Sequence, residues 1–548
     1  MISCDYFVFI ITLSSATLCY SFRNSYTAAV VDYLHIYEDN PEDLLKKNVD
    51  QYLQFMRNAS SQNADIIVFP EYGIVGLDAM YIAEEKNSSE LTKYGTYVPD
   101  PTQNIAPCDY LKCEMCKEHL VNLSCAARAN AIYTVVNLPE MEFNNDTGET
   151  DFHNTNVVFD RSGAVIAKFR KINLSQEPFL KAGRKIVTFV TDFNVTFGIF
   201  TCFDLLFRYP AMEVLSNPEV TDVIFPTAWY SETPFLQGLS IQHGYAKSKG
   251  VNMLASALQE PYYSDGGSAI YLSDGSIAEA FITNKRESRM LVNDVPIIQK
   301  RAIGACENLN KGIKKPLQKG EYTDIDNFPL NRDGTKGYIY EPLGKQGKTQ
   351  TRICTDNEDF CCFFNITVDS SSVTTADYGH RIAIYKGLSP FGSNVLGAIR
   401  TCALIACLNE TEESCGFRTN TSQKSTKFES IEIQTIVDIT NDTHNQPSTL
   451  KADLTPISDY VYCETKISDS KVKIKMALTS PEDSLLTFGI YGRMYSMDAM
   501  EEGTKTSPLP PVVKAESNAG ILVAVVCVSA VLLLGTAFIL WKFFTKIE

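Results

Sequence analysis

Three apolar runs in the first half of the chain have the length and composition of buried strands, and each stops on a residue of a different chemical kind. Asp65-Ile-Ile-Val-Phe-Pro70 stops on Glu71, Ala164-Val-Ile-Ala-Lys-Phe-Arg170 on Lys171, and Thr196-Phe-Gly-Ile-Phe-Thr201 on Cys202. Runs rich in β-branched and aromatic residues, bounded by turn residues, read as strands. A strand end is a good mount for a reactive side chain, because the turn exposes the group while the element holds it still. Taken singly, each has a bland reading. Cys202 is then a small core hydrophobe, Glu71 a loop acid, and Lys171 one of three solvated charges with Lys168 and Arg170. Taken together, three strand ends carrying Glu, Lys and Cys in order weaken the bland readings.

The rest of this half has the texture such a fold needs. Tyr26-Thr-Ala-Ala-Val-Val-Asp32, Ala131 to Asn137, Asn156 to Phe159, Asp222 to Phe225 and Asn252 to Ser256 read as further strands. Between them, Glu42 to Ser60 has helical spacing, with Leu45, Val49, Tyr52, Leu53 and Met56 on one side. A second helix is predicted from about Pro234 to Lys249, and a third beginning at Tyr209-Pro210, with Pro in the first turn. Ser162-Gly163 is a hairpin turn. Strand and helix patterns alternating from Tyr26 to about Arg289 argue for a layered α/β domain.

The ordered set Glu71, Lys171, Cys202 resembles the nitrilase (carbon–nitrogen hydrolase) superfamily. Thr201-Cys-Phe-Asp-Leu-Leu-Phe207, Asp222-Val-Ile-Phe-Pro-Thr-Ala-Trp229 and the helix carrying Gln242-His243 resemble its secreted vanin/biotinidase branch. The resemblance is strong from Tyr26 to Tyr271 and weaker beyond. It implies the α-β-β-α sandwich of that superfamily and a linear amide as substrate. Pantetheine, cleaved to pantothenate and cysteamine, is the first expectation, and a biotinyl-amide is the alternative. A third reading, of a different class, is a cell-surface binding or adhesion protein that has lost turnover. It leaves the retention of all three residues without a purpose.

The chemistry follows from the residue types. A free thiol is mostly protonated at neutral pH and needs a base within hydrogen-bond reach. Glu71 is the candidate base, and Lys171, with a backbone N–H near Cys202 or Phe203, the candidate partner for the oxyanion. The family also carries a second acid shortly after its lysine, for which Glu177 is the nearest match. His243 either lines the pocket or is a helix-face histidine. No metal or other cofactor is implied, since the six histidines do not cluster with ligand spacing. The segment Glu71-Tyr-Gly-Ile-Val-Gly76 departs from the vanin pattern at the pocket wall.

The second half differs in texture. Residues 22–299 are assigned to the nitrilase-like domain and 300–505 to a smaller, mainly β domain with short alternations such as Ile431-Glu-Ile-Gln-Thr-Ile-Val437. Setting aside Cys4, Cys19, Cys202 and Cys527 leaves an even number of cysteines, as full disulfide pairing requires. Cys113-x-x-Cys116 is the spacing of a zinc or redox motif. With Cys108 and Cys125 beside it, it reads as a disulfide cluster in an oxidising compartment.

Asn-x-Ser/Thr sequons at Asn58, Asn87, Asn122, Asn145, Asn173, Asn194, Asn365, Asn409, Asn420 and Asn441 point to the same compartment. Asn173, two residues past Lys171, is expected to carry no glycan. Residues 1–21 read as a signal peptide, and 506–518 as a stalk. The uncharged run 519–541 closes on Trp541, with Lys542 and Lys546 following. It reads as a transmembrane helix at the cell surface, with a GPI signal as the competitor. A formal net charge of −16 disfavours nucleic acid as a partner. The expected partners are therefore a small amide and a membrane.

Overall fold

The computed structural model describes residues 23–77, 88–301, 324–332, 335–343, 347–373, 375–392, 395–440 and 442–500. The segments expected to be a signal peptide (1–21) and a stalk (506–518), Cys306 and the apolar run 519–541 lie outside the described residues. Among those described, no helix is long and apolar enough to cross a membrane.

The first unit contains β1 (Ser25–Asp32), α1 (Pro41–Ser61), β2 (Ile66–Val68), α2 (Glu118–Asn130), β3 (Tyr133–Asn144), β4 (Glu149–Phe159) and β5 (Val165–Arg170). It continues with β6 (Val187–Val190), β7 (Thr196–Ile199), β8 (Val220–Thr227), β9 (Glu232–Thr233), α3 (Gly238–Lys249), β10 (Asn252–Ala257), β11 (Ser268–Tyr271), β12 (Ile277–Phe281) and β13 (Arg289–Pro296). Two six-stranded sheets result, ordered β13-β1-β2-β3-β4-β5 and β12-β11-β10-β8-β7-β6. The central neighbours β1-β2-β3 and β7-β8-β10 are parallel.

The alternation of β1 shows how the layers are built. Ala28 and Val30 enter a core shared with Phe197, Ile199, Val223 and Leu254 of the second sheet. Ala29 and Val31 turn the other way, against Leu45, Val49, Tyr52 and Met56 of α1 and Leu120, Leu123 and Ala127 of α2. This period of two is what lets one strand serve two layers. Asn40 caps α1, its side chain accepting from the N–H groups of Glu42 (2.8 Å) and Asp43 (3.2 Å). At the β4–β5 turn Gly163 has φ +79, and a Cβ there would stand 2.4 Å from the Ser124 carbonyl oxygen.

Two helix starts differ from expectation, both at proline. Tyr209-Pro210 opens no regular α-helix, only a short irregular helical stretch over Arg208–Met212 and Glu213–Ser216. Cys202–Leu206 is a tight 3-10 turn, after which Phe207 and Tyr209 are extended and the Tyr209-Pro210 peptide is cis. A residue before proline is pushed out of the helical region. Thr233-Pro234 is likewise cis, and Thr233 sits in β9. Helix α3 therefore begins at Gly238, capped by the Gln237 side chain on Ser240 N–H at 3.0 Å.

The second unit is antiparallel β throughout its two large sheets. It contains β14 (Asn331–Arg332), β15 (Ile339–Pro342), β16 (Gly347–Cys354), β17 (Cys361–Val368), β18 (Gly379–Phe391), β19 (Val395–Cys407) and β20 (Phe428–Asp438). There follow β21 (Thr443–Lys451), β22 (Tyr460–Lys466), β23 (Lys471–Leu478), β24 (Leu485–Met494) and β25 (Ala499–Met500). One sheet runs β15-β18-β19-β24-β21, the other β16-β17-β20-β23-β22. They face each other across Ile366, Ile384, Leu404, Ile431, Ile433 and Phe488.

The two units share buried surface. β14 pairs with β9, and α3 lies between its own sheet and β21, so that a Cβ on Gly244 would meet the Pro447 carbonyl oxygen at 2.3 Å.

Disulfides follow the same division. Cys108–Cys125 and Cys113–Cys116 fasten the loop before α2. In the second unit, Cys354–Cys361 closes the β16–β17 turn, Cys407–Cys415 the turn after β19, and Cys362–Cys402 joins the two sheets across 40 residues of sequence. Cys463 is also disulfide-bonded.

Because the cross-sheet staple lies in the second unit, dithiothreitol should loosen β15–β24 before β1–β13. Hydrogen exchange under reducing conditions checks this. Earlier loss of protection in β1–β13 would contradict it.

Candidate active site

The three strand ends meet. Glu71 lies three residues beyond β2, and the intervening Phe69 still donates its N–H to Val135 O of β3 (3.0 Å). Lys171 directly follows β5, with its N–H on Asn154 O of β4 at 2.8 Å. Cys202 lies three residues beyond β7 with φ +46, a left-handed conformation that costs a side-chain-bearing residue about 1–2 kcal/mol.

That conformation is held from several directions. The Asp204 carboxylate accepts from Thr201 N (3.2 Å), Asn173 N (2.7 Å) and Asn173 Nδ2 (2.9 Å). Asn156 Nδ2 donates to Thr201 Oγ1 at 2.7 Å. Asp204 thus ties the cysteine turn to the segment that carries Lys171. Asn173 Nδ2, the atom that would carry a glycan, also donates to Tyr209 O at 2.8 Å.

At the centre, Lys171 Nζ lies 2.8 Å from Glu71 Oε1 and 2.8 Å from Glu177 Oε2, all three side chains being at most 5 % exposed. An ammonium has three donors, so one remains for the cavity. Asn154 Nδ2 reaches both acids, at 2.7 Å to Glu71 Oε1 and 3.0 Å to Glu177 Oε1. The peptide unit at Ala228 brackets the pair of reactive groups. Its N–H donates to Glu71 Oε2 (2.9 Å) and its carbonyl accepts from Cys202 Sγ (3.3 Å).

The electrostatics follow from burial. Burial, then the negative charge of Glu71, pushes the Cys202 thiol well above its ordinary pKa, and Lys171 only partly offsets them. Burial works against the Lys171 charge, but Glu71 and Cys202 outweigh it and its pKa rises. Burial and the Glu71 charge raise Glu177 well above the carboxylate range. Asp204 is raised to about 7, by burial against its hydrogen bonds and the Lys171 charge. At rest Cys202 is therefore a thiol, on a scaffold that keeps one ammonium between two acids.

These groups open on a cavity of about 310 Å3 lined also by Phe203, Leu206, Trp229 and Leu236, and by Asn331, Phe391 and Gly392 of the second unit. Trp229 is fixed by its indole N–H on Leu236 O at 2.7 Å. Tyr72, within the segment that departs from the vanin pattern, also lines it and accepts from Asn154 Nδ2 at 2.9 Å.

Glu177 thus joins the three strand-end residues. His243 does not. Helix α3 directs it away from the cavity, its Nε2 at 2.9 Å from Gly275 O and its ring near Tyr271 and Tyr460. Burial, then Lys247, lowers it to about 3, so it stays neutral. Lys168 and Arg170 point elsewhere, both onto Glu140. Asn154, Asp204 and Ala228 were not singled out by the sequence. The polar run His153-Asn-Thr-Asn156 inside a buried strand was the available signal for Asn154.

Residues 27–296 match the carbon–nitrogen hydrolase family and residues 328–498 the Vanin C-terminal domain. Vanin-like protein 2 of Drosophila melanogaster is 30 % identical over 509 residues, covering 86 % of this chain and 90 % of that one. A pantetheinase of Mus musculus is 26 % identical over 484 residues, covering 83 % and 84 % of the two chains. A biotinidase of Takifugu rubripes is 26 % identical over 520-odd residues (523), covering 90 % and 98 %. With the strand-end acid, base and thiol converging on one cavity, and both halves matched in order along the chain, this protein belongs to the vanin/biotinidase branch of the carbon–nitrogen hydrolases.

Proposed function

We propose that the chain hydrolyses a linear amide through a thioester on Cys202, with pantetheine as the substrate to try first. The observation that carries this is the Lys171 ammonium held between Glu71 and Glu177 beside a free, cavity-facing thiol. The pantetheinase relative supports pantetheine. The biotinidase relative, similar over more of its length, favours biotinyl-amides as the second reading.

In the first half-reaction Glu71 takes the thiol proton as Sγ attacks the amide carbon. The carbonyl oxygen becomes an oxyanion, which the remaining Lys171 N–H and a backbone N–H beside Cys202 stabilise. As the carbon–nitrogen bond breaks, Glu71 returns the proton to the departing amine, and the acyl group stays on Sγ. In the second half, Glu71 takes a proton from water, the hydroxide oxygen adds to the thioester carbon, and the carbon–sulfur bond breaks. The thiolate recovers that proton and the carboxylic acid leaves. Glu177 and Asn154 are positioning residues that aim Lys171 and Glu71.

The reading extends to location. Disulfides in both units support an oxidising compartment. We place the enzyme at the cell surface, entering the secretory pathway through residues 1–21 and held by one span at 519–541 with its tail in the cytosol. A GPI anchor is the alternative, disfavoured because no polar spacer precedes the apolar run.

Cys202→Ala should abolish pantetheine hydrolysis while leaving the melting temperature nearly unchanged, and mass spectrometry of the wild type quenched in turnover should find the acyl mass on Cys202. Substantial turnover by Cys202→Ala excludes the thioester.

Lys171→Ala should lower kcat by roughly 10²–10³, as loss of an oxyanion donor does. It should also destabilise the fold by about 3–5 kcal/mol, because a buried ion pair is broken. Denaturant titration beside the kinetics separates the two effects. Wild-type activity in this variant would remove Lys171 from the mechanism.

For the anchor, phosphatidylinositol-specific phospholipase C should leave the activity on intact cells. Release into the medium identifies a GPI anchor instead.

A further inference from the structure

The cavity above Cys202 is not closed by the first unit alone. Its wall includes Phe391 and Gly392, at the end of β18 where the chain turns toward β19 in the second unit. Phe391 is only 2 % exposed although it borders the cavity. Its ring is fixed on both sides. It lies over Gly397 of β19, so closely that a Cβ there would stand 2.1 Å from the ring. The guanidinium of Arg493 on β24 stacks on it, with Cζ 4.7 Å from the ring centroid.

Arg493 is itself buried and fully committed. It pairs with Asp498 at 2.7 Å, donates to Ala398 O at 2.5 Å, and donates from Nε to Leu206 O at 3.0 Å. Leu206 ends the 3-10 turn that begins at Cys202 and lines the same cavity. A single side chain of the second unit therefore fixes both the ring at the cavity wall and the last carbonyl of the nucleophile's turn.

We propose that Phe391 is a specificity-determining residue, setting the bulk of acyl group that can sit on Cys202 Sγ, and that Arg493 positions it. The proposal rests on the amidase reading above, because in that reaction the acyl group is the part of the substrate that remains bonded to sulfur inside the cavity. A locked aromatic wall rejects bulk more sharply than a mobile one, since the wall cannot yield without losing packing on Gly397 and Arg493. The first unit supplies the reacting groups and the second supplies the limit on what they act upon.

The test uses the full chain and two alkylating reagents of equal chemistry and unequal size, iodoacetamide and an N-benzyl iodoacetamide. In each, Sγ displaces iodide and the thiol proton passes to solvent, leaving an adduct where the acyl group would sit. The rate of modification of Cys202 by each is followed by mass spectrometry. Phe391→Ala should raise the large-to-small rate ratio by about tenfold or more, the scale at which an apolar pocket discriminates by size. Phe391→Leu, which keeps an apolar side chain should the alanine variant fold poorly, should raise it less. The same variants should shift kcat/KM toward bulkier acyl amides.

An unchanged ratio and unchanged acyl preference in a folded Phe391 variant would overturn the proposal. Failure of the amidase reading looks different. The wild type would then turn over no amide, while the alkylation ratio would still respond to Phe391.

Discussion

Lys171 stands between Glu71 and Glu177 with almost no water to share its charge, and the site depends on that arrangement. A buried ammonium is tolerable only when its partners are placed well and their remaining lone pairs are satisfied. The sheet provides both. Glu71 comes from the end of β2 and Lys171 from the end of β5, while Asn154 projects from β4 toward both acids and accepts at its own Oδ1 from Asn137 of β3 at 2.6 Å. The register of four strands is thus written into one charge cluster. A slip of one residue in any of them would turn these side chains to the opposite face.

The cysteine adds a second constraint, conformational rather than electrostatic. A left-handed residue at a functional turn persists only when its surroundings over-determine it. Asp204 does so from within the turn and from the Lys171 segment, and Arg493 from the other unit. Cys202, Glu71 and Lys171 are consequently one mechanical assembly. Relaxing the turn would move Sγ away from Ala228 O.

Much of this was legible in the sequence, and the part that was not has a physical pattern. The strand ends were visible because continuous β-branched and aromatic runs announce themselves and stop abruptly at Glu71, Lys171 and Cys202. Helix α1 was visible because Leu45, Val49, Tyr52 and Met56 repeat at helical spacing. Asn154, Asp204 and Ala228 were not, since their roles lie largely in partners up to 157 positions away, across strands or across the two sheets. His243 was ambiguous because its surroundings come from distant segments, Tyr271 and Gly275 of its own unit and Tyr460 of the second. The helix expected at Tyr209 is short and irregular, because the extended backbone before Pro210 interrupts a pattern that is otherwise helical.

Among the described residues Cys202 is the one free cysteine, and the other described cysteines are disulfide-bonded. Peroxide attacks thiolates far faster than thiols, and the first product, a sulfenic acid, is rescued only by a second thiol. Burial and the Glu71 charge keep the Cys202 proton in place at rest. The same environment that demands a base for catalysis therefore confines the oxidisable form to the moment of attack. Resistance of the resting thiol to peroxide follows from the same burial and charge that hold its proton.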